Sequence, residues 1–281
     1  MFALRKPLLY CLLLLATFNA PSYALDQARG THQNHSEAIS SSDAKENNQA
    51  NDAKKNSQDD PRPRTKISWL GHGFLYLITS TDIRVAIDPF DYKKVNYTFP
   101  NNLSADIVLV TANTPDRSDW HRLIGDPQIF MSLTAIGTNQ SNGILFKGIS
   151  SFRDSQLEQG VGLNTIFTFS IDQVRYCALG ALGHRINATL RRKIGRTDVL
   201  FLPIGNKALT PKHWWDIAEE LKAKVIIPIL YKTPKSGAYE MRNLDESGLE
   251  NHKTIHLESN ALALSSQKLP AEPTVFIFPT P

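Results

Sequence analysis

Ala105-Asp106-Ile107-Val108-Leu109-Val110-Thr111, followed at once by Ala112-Asn113-Thr114-Pro115-Asp116-Arg117, joins an apolar β-branched run to a polar loop. The run is too short for an ordinary helix and is rich in strand formers, so it predicts a strand, with the loop at its end as a place for a site. Outward from it, similar runs recur at Lys66 to Leu70, Phe74 to Thr79, Arg84 to Ile87, Gly143 to Ile149, Thr165 to Ile171 and Val174 to Leu179. The last two are joined by a turn at Asp172-Gln173. Asp198 to Ile204 and Lys224 to Leu230 are nearly continuous apolar stretches, which suits strands buried on both faces. Helices fall between. One starts at Pro211 and runs to about Ala223, with Thr210 as N-cap and Trp214, Ile217, Ala218 and Leu221 along one face. A second is predicted from Asn187 to Gly195, and a third from Asp116 to Ile124, closed by Gly125. Strands in two groups with helices around them make a layered α/β architecture.

The beginning of the chain has a different composition. Arg5 and Lys6 precede an apolar stretch of about a dozen residues from Leu8 to Phe18, and Ser22-Tyr23-Ala24 is a small-x-small triplet, the pattern of a secretory signal over residues 1–24. That core is shorter than the roughly 20 residues of a membrane-spanning helix, so no transmembrane segment is expected after cleavage. A lipid anchor at Cys11 is disfavoured because bulky Tyr10 precedes it. Residues 25–64 are Asn, Gln, Ser, Asp, Lys and Ala with almost no large apolar side chain, which predicts a disordered polar tether. Residues 65–281 are then the folded domain. Loss of Arg5 and Lys6 takes the formal charge from +4 to +2 and leaves Cys177 as the sole cysteine, so no intramolecular disulfide can form. The remaining charges are mixed, without a basic stripe for nucleic acid. A secreted, periplasmic location is expected.

Six strings are more specific. Ile67-Ser68-Trp69-Leu70-Gly71-His72, Ile87-Asp88-Pro89-Phe90, Ala105 to Thr111, Gly162-Leu163-Asn164-Thr165-Ile166-Phe167, Leu179-Gly180-Ala181-Leu182-Gly183-His184 and Ile227-Pro228-Ile229-Leu230-Tyr231-Lys232-Thr233 occur in this order. Together they resemble the ascorbate-6-phosphate-lactonase-like branch of the metallo-β-lactamase superfamily, which implies a four-layer αββα sandwich. The resemblance covers roughly Thr65 to Thr233. Active members hold two divalent metals with a His-x-His-x-Asp-His loop, a third His before an Asp, a bridging Asp in Gly-Asp-Leu-Gly-His and a last His before Tyr-Lys-Thr. There the imidazoles and carboxylates carry ions that activate a shared water. Carried over to this chain, those seven positions are Ala112, Thr114, Asp116, Arg117, Arg153, Ala181 and Leu230. Only Asp116 keeps a ligand. Alanine and leucine have no lone pair to offer, and arginine stays protonated. His72 and His184 match positions of the family that do not coordinate.

The expectation from the sequence is therefore a catalytically inactive relative of a hydrolase with no metal cofactor, binding a small anionic ligand or a protein partner. The alternative is a metal-dependent hydrolase of a lactone or phosphoester, using zinc or manganese at an altered site. Arg117 and Arg153 either form an anion pocket beside Asp116, Asp154 and Asp88 or pair with neighbouring aspartates and fill the old cavity. His121, His213, His252 and His256 show no ligand spacing, and His32 and His35 lie in the tether. Cys177 reads as a core residue. Ser150, Ser151 and Ser155 lack the partners a nucleophile needs. Of Trp214-Trp215, one ring should be core and the other more exposed.

Overall fold

The computed structural model describes residues 64–153 and 162–281. The signal over 1–24, nearly all of the tether, Asp154 and Ser155 lie outside the described residues. Fourteen strands and two α-helices follow in chain order: β1 (Thr65–Gly71), β2 (Phe74–Ile78), β3 (Arg84–Ile87), β4 (Ile107–Val110), β5 (Gln128–Met131), β6 (Gly137–Ser141), β7 (Ile144–Phe152), β8 (Leu163–Ile171), β9 (Val174–Ala178), α1 (Ala188–Ile194), β10 (Val199–Leu202), α2 (Pro211–Glu220), β11 (Val225–Pro228), β12 (Thr254–His256), β13 (Leu262–Leu264) and β14 (Thr274–Ile277). One sheet has the order β13-β1-β2-β3-β4-β5 and the other β12-β14-β11-β10-β9-β8-β7-β6. The α/β sandwich implied by the motif order is what the chain forms.

The two-residue period of a strand accounts for the layering. In β2, β3 and β4, Leu75, Leu77, Val85, Ile87, Ile107 and Leu109 point into a core shared with Phe146, Phe167 and Phe201 of the second sheet. Their alternates Phe74, Tyr76, Ala86, Val108 and Val110 face a separate cluster with Phe90, Tyr97 and Phe99. The first sheet is thus apolar on both sides, and its outer layer is mainly this aromatic packing. On the second sheet, β10 and β11 are buried at every residue, as their unbroken apolar runs predict. Trp214, Ile217 and Ala218 are the buried residues of α2, whose N-terminus has the predicted Thr210 cap. Trp215 is only partly buried, and its Nε1 donates to the Ser247 carbonyl at 2.7 Å.

The predicted helix from Asp116 to Ile124 is not one. Only Trp120–Arg122 forms a single 3-10 turn. Backbone donors that a helix would keep go elsewhere: Asp119 N donates to Pro89 O at 2.8 Å, and Ile124 N to Leu103 O at 2.9 Å. Strands β5 and β6 extend the sheets although neither was predicted; β5 carries only the short run Ile129-Phe130-Met131, and β6 is mostly exposed. At one end of the sandwich, the β8–β9 turn places Asp172 and Gln173 at φ 51° and 63°. Asp172 Oδ2 there accepts from Thr65 Oγ1 at 2.8 Å and from Ser80 N at 3.0 Å. The opposite end carries the loops after β1, β3, β4, β7, β9 and β11.

Candidate functional site

Asp116 is the centre of those loops. It is 5% exposed, and its Oδ2 accepts from Arg117 Nη2 at 2.8 Å, from Arg117 Nε at 3.0 Å and from His72 Nε2 at 3.1 Å. His72 stands in the β1–β2 turn at φ 52° and is 1% exposed. Burial lowers its pKa, and the charge of Arg117 adds to that, against the opposing hydrogen bond to Asp116. A neutral imidazole donating through Nε2 to a carboxylate leaves Nδ1 as a bare acceptor, and that atom is buried without a partner. Burial opposes ionisation of Asp116, but the hydrogen bond from His72 and the charge of Arg117 outweigh it and hold its carboxyl well below the usual carboxylate range.

Behind this cluster, Asp88 (φ 53°) accepts from Thr111 N at 2.7 Å and from Thr111 Oγ1 at 2.6 Å. Burial raises its pKa to about 7, with Arg117 and the two Thr111 bonds pulling the other way. The pair ties the end of β3 to the loop after β4. Two amides fix the remaining rim. Asn164 donates to Ser151 Oγ at 2.7 Å and to Leu179 O at 2.9 Å, while its Oδ1 accepts from Ala181 N at 2.9 Å. Asn206 donates to Ala181 O and Leu182 O at 3.1 and 3.0 Å. Lys232 Nζ donates to Gly237 O and Tyr239 O, both at 3.0 Å, and the Tyr239 ring lies 5.1 Å from that of His72.

These residues border an open cleft of about 230 Å³ lined by His72, Asp116, Arg117, Arg153, Ala181 and Leu230, with Asn206, Tyr239, Glu240 and Met241 completing it. Five of the seven positions named from the sequence therefore meet. Ala112 and Thr114 line an adjoining cleft, and Arg153 borders both. The two arginines differ. Arg117 pairs with its neighbouring aspartate, as one reading of the sequence expected, although its Nη1 is buried without a partner. Arg153 has no ion pair among the described residues, and its Nε is likewise buried and unpartnered.

Sequence reasoning missed His72, Asn206 and Tyr239. The signal for His72 was its place directly after Gly71, where a tight turn follows a strand; nothing local marked the other two. The remaining histidines do not converge on the cavity: His121 stacks on Trp120, His252 on Trp215, His213 closes the capping box of α2, and His256 is exposed on β12. His184 accepts from Phe152 N at 3.3 Å. Ser151 is buried and bonded to Asn164, and Cys177 is a buried thiol whose pKa burial pushes up.

A profile of the family described as Beta-lactamase superfamily domain matches residues 66–230. The chain is 28% identical over 200 residues to a UPF0173 metal-dependent hydrolase of Archaeoglobus fulgidus, covering 60% of this chain and 84% of that one. A Thermotoga maritima structure, described as a zinc-dependent hydrolase of the metallo-β-lactamase superfamily, superposes with a TM-score of 0.62 at 28% identity, covering 76% of this chain and 98% of that one. Both relatives are named for a metal, which corrects the expectation that no metal cofactor goes with this chain. The residues at the seven positions nevertheless do not fit a dinuclear centre. At those positions one carboxylate is present and bonded to a guanidinium, and Ala181 and Leu230 offer no side-chain donor atom beside it. Among the described residues, no group of three or more His, Cys, Asp or Glu is arranged to hold a metal ion.

Proposed function

The chain belongs to the beta-lactamase superfamily, and from that premise we propose that it is an exported, catalytically inactive member that binds a small anion where its relatives carry out hydrolysis. The observation that carries this reading is the pair of buried, unpartnered guanidinium nitrogens, Arg117 Nη1 and Arg153 Nε, beside one cleft. A buried donor without a partner costs about 1–3 kcal/mol, and more when charged, so an anion that satisfies both donors is stabilised by their geometry. Asp116 and His72 hold Arg117 in place. Export rests on the signal pattern from Arg5 to Ala24, and an intact-mass measurement of the protein released by its host should give a chain beginning at Leu25. A chain still carrying Met1 to Ala24 in the soluble fraction would count against it.

The test of binding is thermal unfolding in phosphate and in small carboxylates at constant ionic strength. A ligand at 100 times its dissociation constant should add about 2.7 kcal/mol. Arg153→Gln should abolish that gain. No shift with any anion would overturn the reading.

A second reading, favoured by the metal dependence of both named relatives and by the bare Nδ1 of His72 beside Asp116, is metal-dependent hydrolysis of a lactone or phosphoester at an altered site. Elemental analysis after separate loading with zinc and manganese distinguishes the two. Stoichiometric retention of a metal, together with turnover of either substrate class, would favour the second.

A further inference from the structure

Charge is spread unevenly over the outer face of the second sheet, where α1 packs. The segments that build this face, residues 141–150, 165–177 and 188–198, carry Lys147, Arg175, Arg191, Arg192, Lys193 and Arg196 against Asp172 and Asp198. One more acid, Glu220 of α2, lies 3.6 Å from Arg191. The cations are therefore twice as many as the carboxylates, and they are also the better presented. Asp172 turns to Thr65 and Ser80 of the other sheet. The Asp198 side chain is 5% exposed, whereas those of its partners Arg175 and Arg196 are 42% and 57% exposed. Solvent meets guanidinium on this face rather than carboxylate.

An apolar side chain stands among these cations. Strands β6 and β7 are joined by the tight turn Asn142-Gly143, at φ 48° and 77°, the backbone that such a two-residue hairpin requires. Just past it, Leu145 is 57% exposed, the most exposed large apolar side chain among the described residues, and it borders one cleft with Lys147, Arg175 and Arg196. A Cβ added at Gly143, or at Gly195 where α1 ends, would meet nothing within 4 Å, so the hairpin tip and the helix end both stand clear. Lys147 Nζ donates to Lys193 O at 2.7 Å and ties the hairpin to that helix end. We propose that this face docks on a lipid surface carrying anionic phospholipid headgroups, with Arg192, Lys193 and Arg196 among the phosphates and Leu145 in the apolar layer beneath. The negative potential of such a surface attracts the cations, and burial of an apolar side chain adds to the attraction. The rings of Phe146, Phe169 and Tyr176 in this part of the sheet are buried, so they offer no platform for the bases of a nucleic acid. The face shares no residue with the cleft at Asp116.

Co-sedimentation of the purified full-length protein with vesicles of phosphatidylcholine, alone or mixed equally with phosphatidylglycerol, tests this at low salt. Residues 1–24 contain an apolar stretch of their own, so the readout is the difference between wild type and variants. The double variant Arg192→Gln with Lys193→Gln should bind the mixed vesicles at least about tenfold more weakly than wild type, the worth of two cations near an anionic surface. Both proteins should bind pure phosphatidylcholine equally. Salt should erase the difference, since the screening length shortens to about 3 Å at 1 M. Leu145→Ser should weaken binding to the mixed vesicles at least about fivefold and leave binding to immobilised heparin unchanged. All three side chains are exposed, and an unchanged urea midpoint verifies that each variant keeps the fold. Equal binding of wild type and the double variant to mixed vesicles would overturn the proposal. If Leu145→Ser binds vesicles and heparin as wild type does, while the double variant is weakened on both, the face serves a soluble polyanion and the proposal is overturned as well.

Discussion

Asp116→Ala is expected to lower the unfolding free energy by about 3–5 kcal/mol, the cost of leaving a buried charge without its partner. Arg117 is 6% exposed, and its described side-chain hydrogen bonds both go to Asp116 Oδ2. Removing that carboxylate strands the guanidinium in the rim of the sandwich and takes away the acceptor of the His72 proton as well. The double variant Asp116→Leu with Arg117→Met should recover most of the loss, because replacing a buried ion pair by apolar residues of similar volume is often neutral. Urea titration measures both. A loss below about 1 kcal/mol for the single variant, the range of exposed pairs, would mean that water or an ion reaches Arg117 and that the cluster does not hold the loop.

The pH dependence of stability should be dominated near neutrality by Asp88. Its carboxyl is raised from 3.8 to about 7 by burial, partly opposed by Arg117 and by the two bonds from Thr111. The folded state therefore keeps a proton that the unfolded chain has lost. That contribution is fully present below pH 3.8, declines as pH rises, and is gone above about 7. At about 1.4 kcal/mol per unit, it amounts to about 4 kcal/mol across the window. His72 and Asp116 act in the opposite sense, since both are lowered: their contributions are lost as pH falls below their ordinary values. Asp88→Asn mimics the protonated form, so the difference between wild type and variant isolates Asp88. The difference curve should fall steadily from pH 4 to 7 and level off above; a flat curve would show that the carboxyl ionises freely in the fold.

The contrast between these two aspartates explains what the sequence could tell. Asp116 was legible as a candidate because its loop sits at the end of a strand in an ordered set of motifs, and the partner Arg117 is adjacent in the chain. Strands β1 to β4 were legible because alternate residues belong to two different apolar clusters, and β10 and β11 because both their faces are covered. His72 was not legible as a partner, since its contact with Asp116 bridges 44 positions and exists only once two sheets have closed. Tyr239 depends on Lys232 gathering the carbonyls of the following loop, which no propensity records. The loop from Asp116 to Ile124 misled for a physical reason. Its spacing suits a helix, but two of its side chains are held inside the rim and its amides bond to Pro89 and Leu103. The absence of a metal cofactor was inferred from the substitutions alone, and relatives named for their metals correct that inference.

The bonds from Thr65 and Ser80 to Asp172 have a mechanical consequence. They fasten the hairpin tip of one sheet to β1 and to the turn after β2 of the other, at the far end from the cavity. The cavity end is clamped as well, since Leu230 N donates to His72 O at 3.0 Å and Thr165 N to Thr111 O at 2.7 Å, each bond joining one sheet to the other. Two plates fastened at both ends can neither slide nor splay freely, so the loops that carry Arg117 on one and Arg153 on the other stand on a stiff frame.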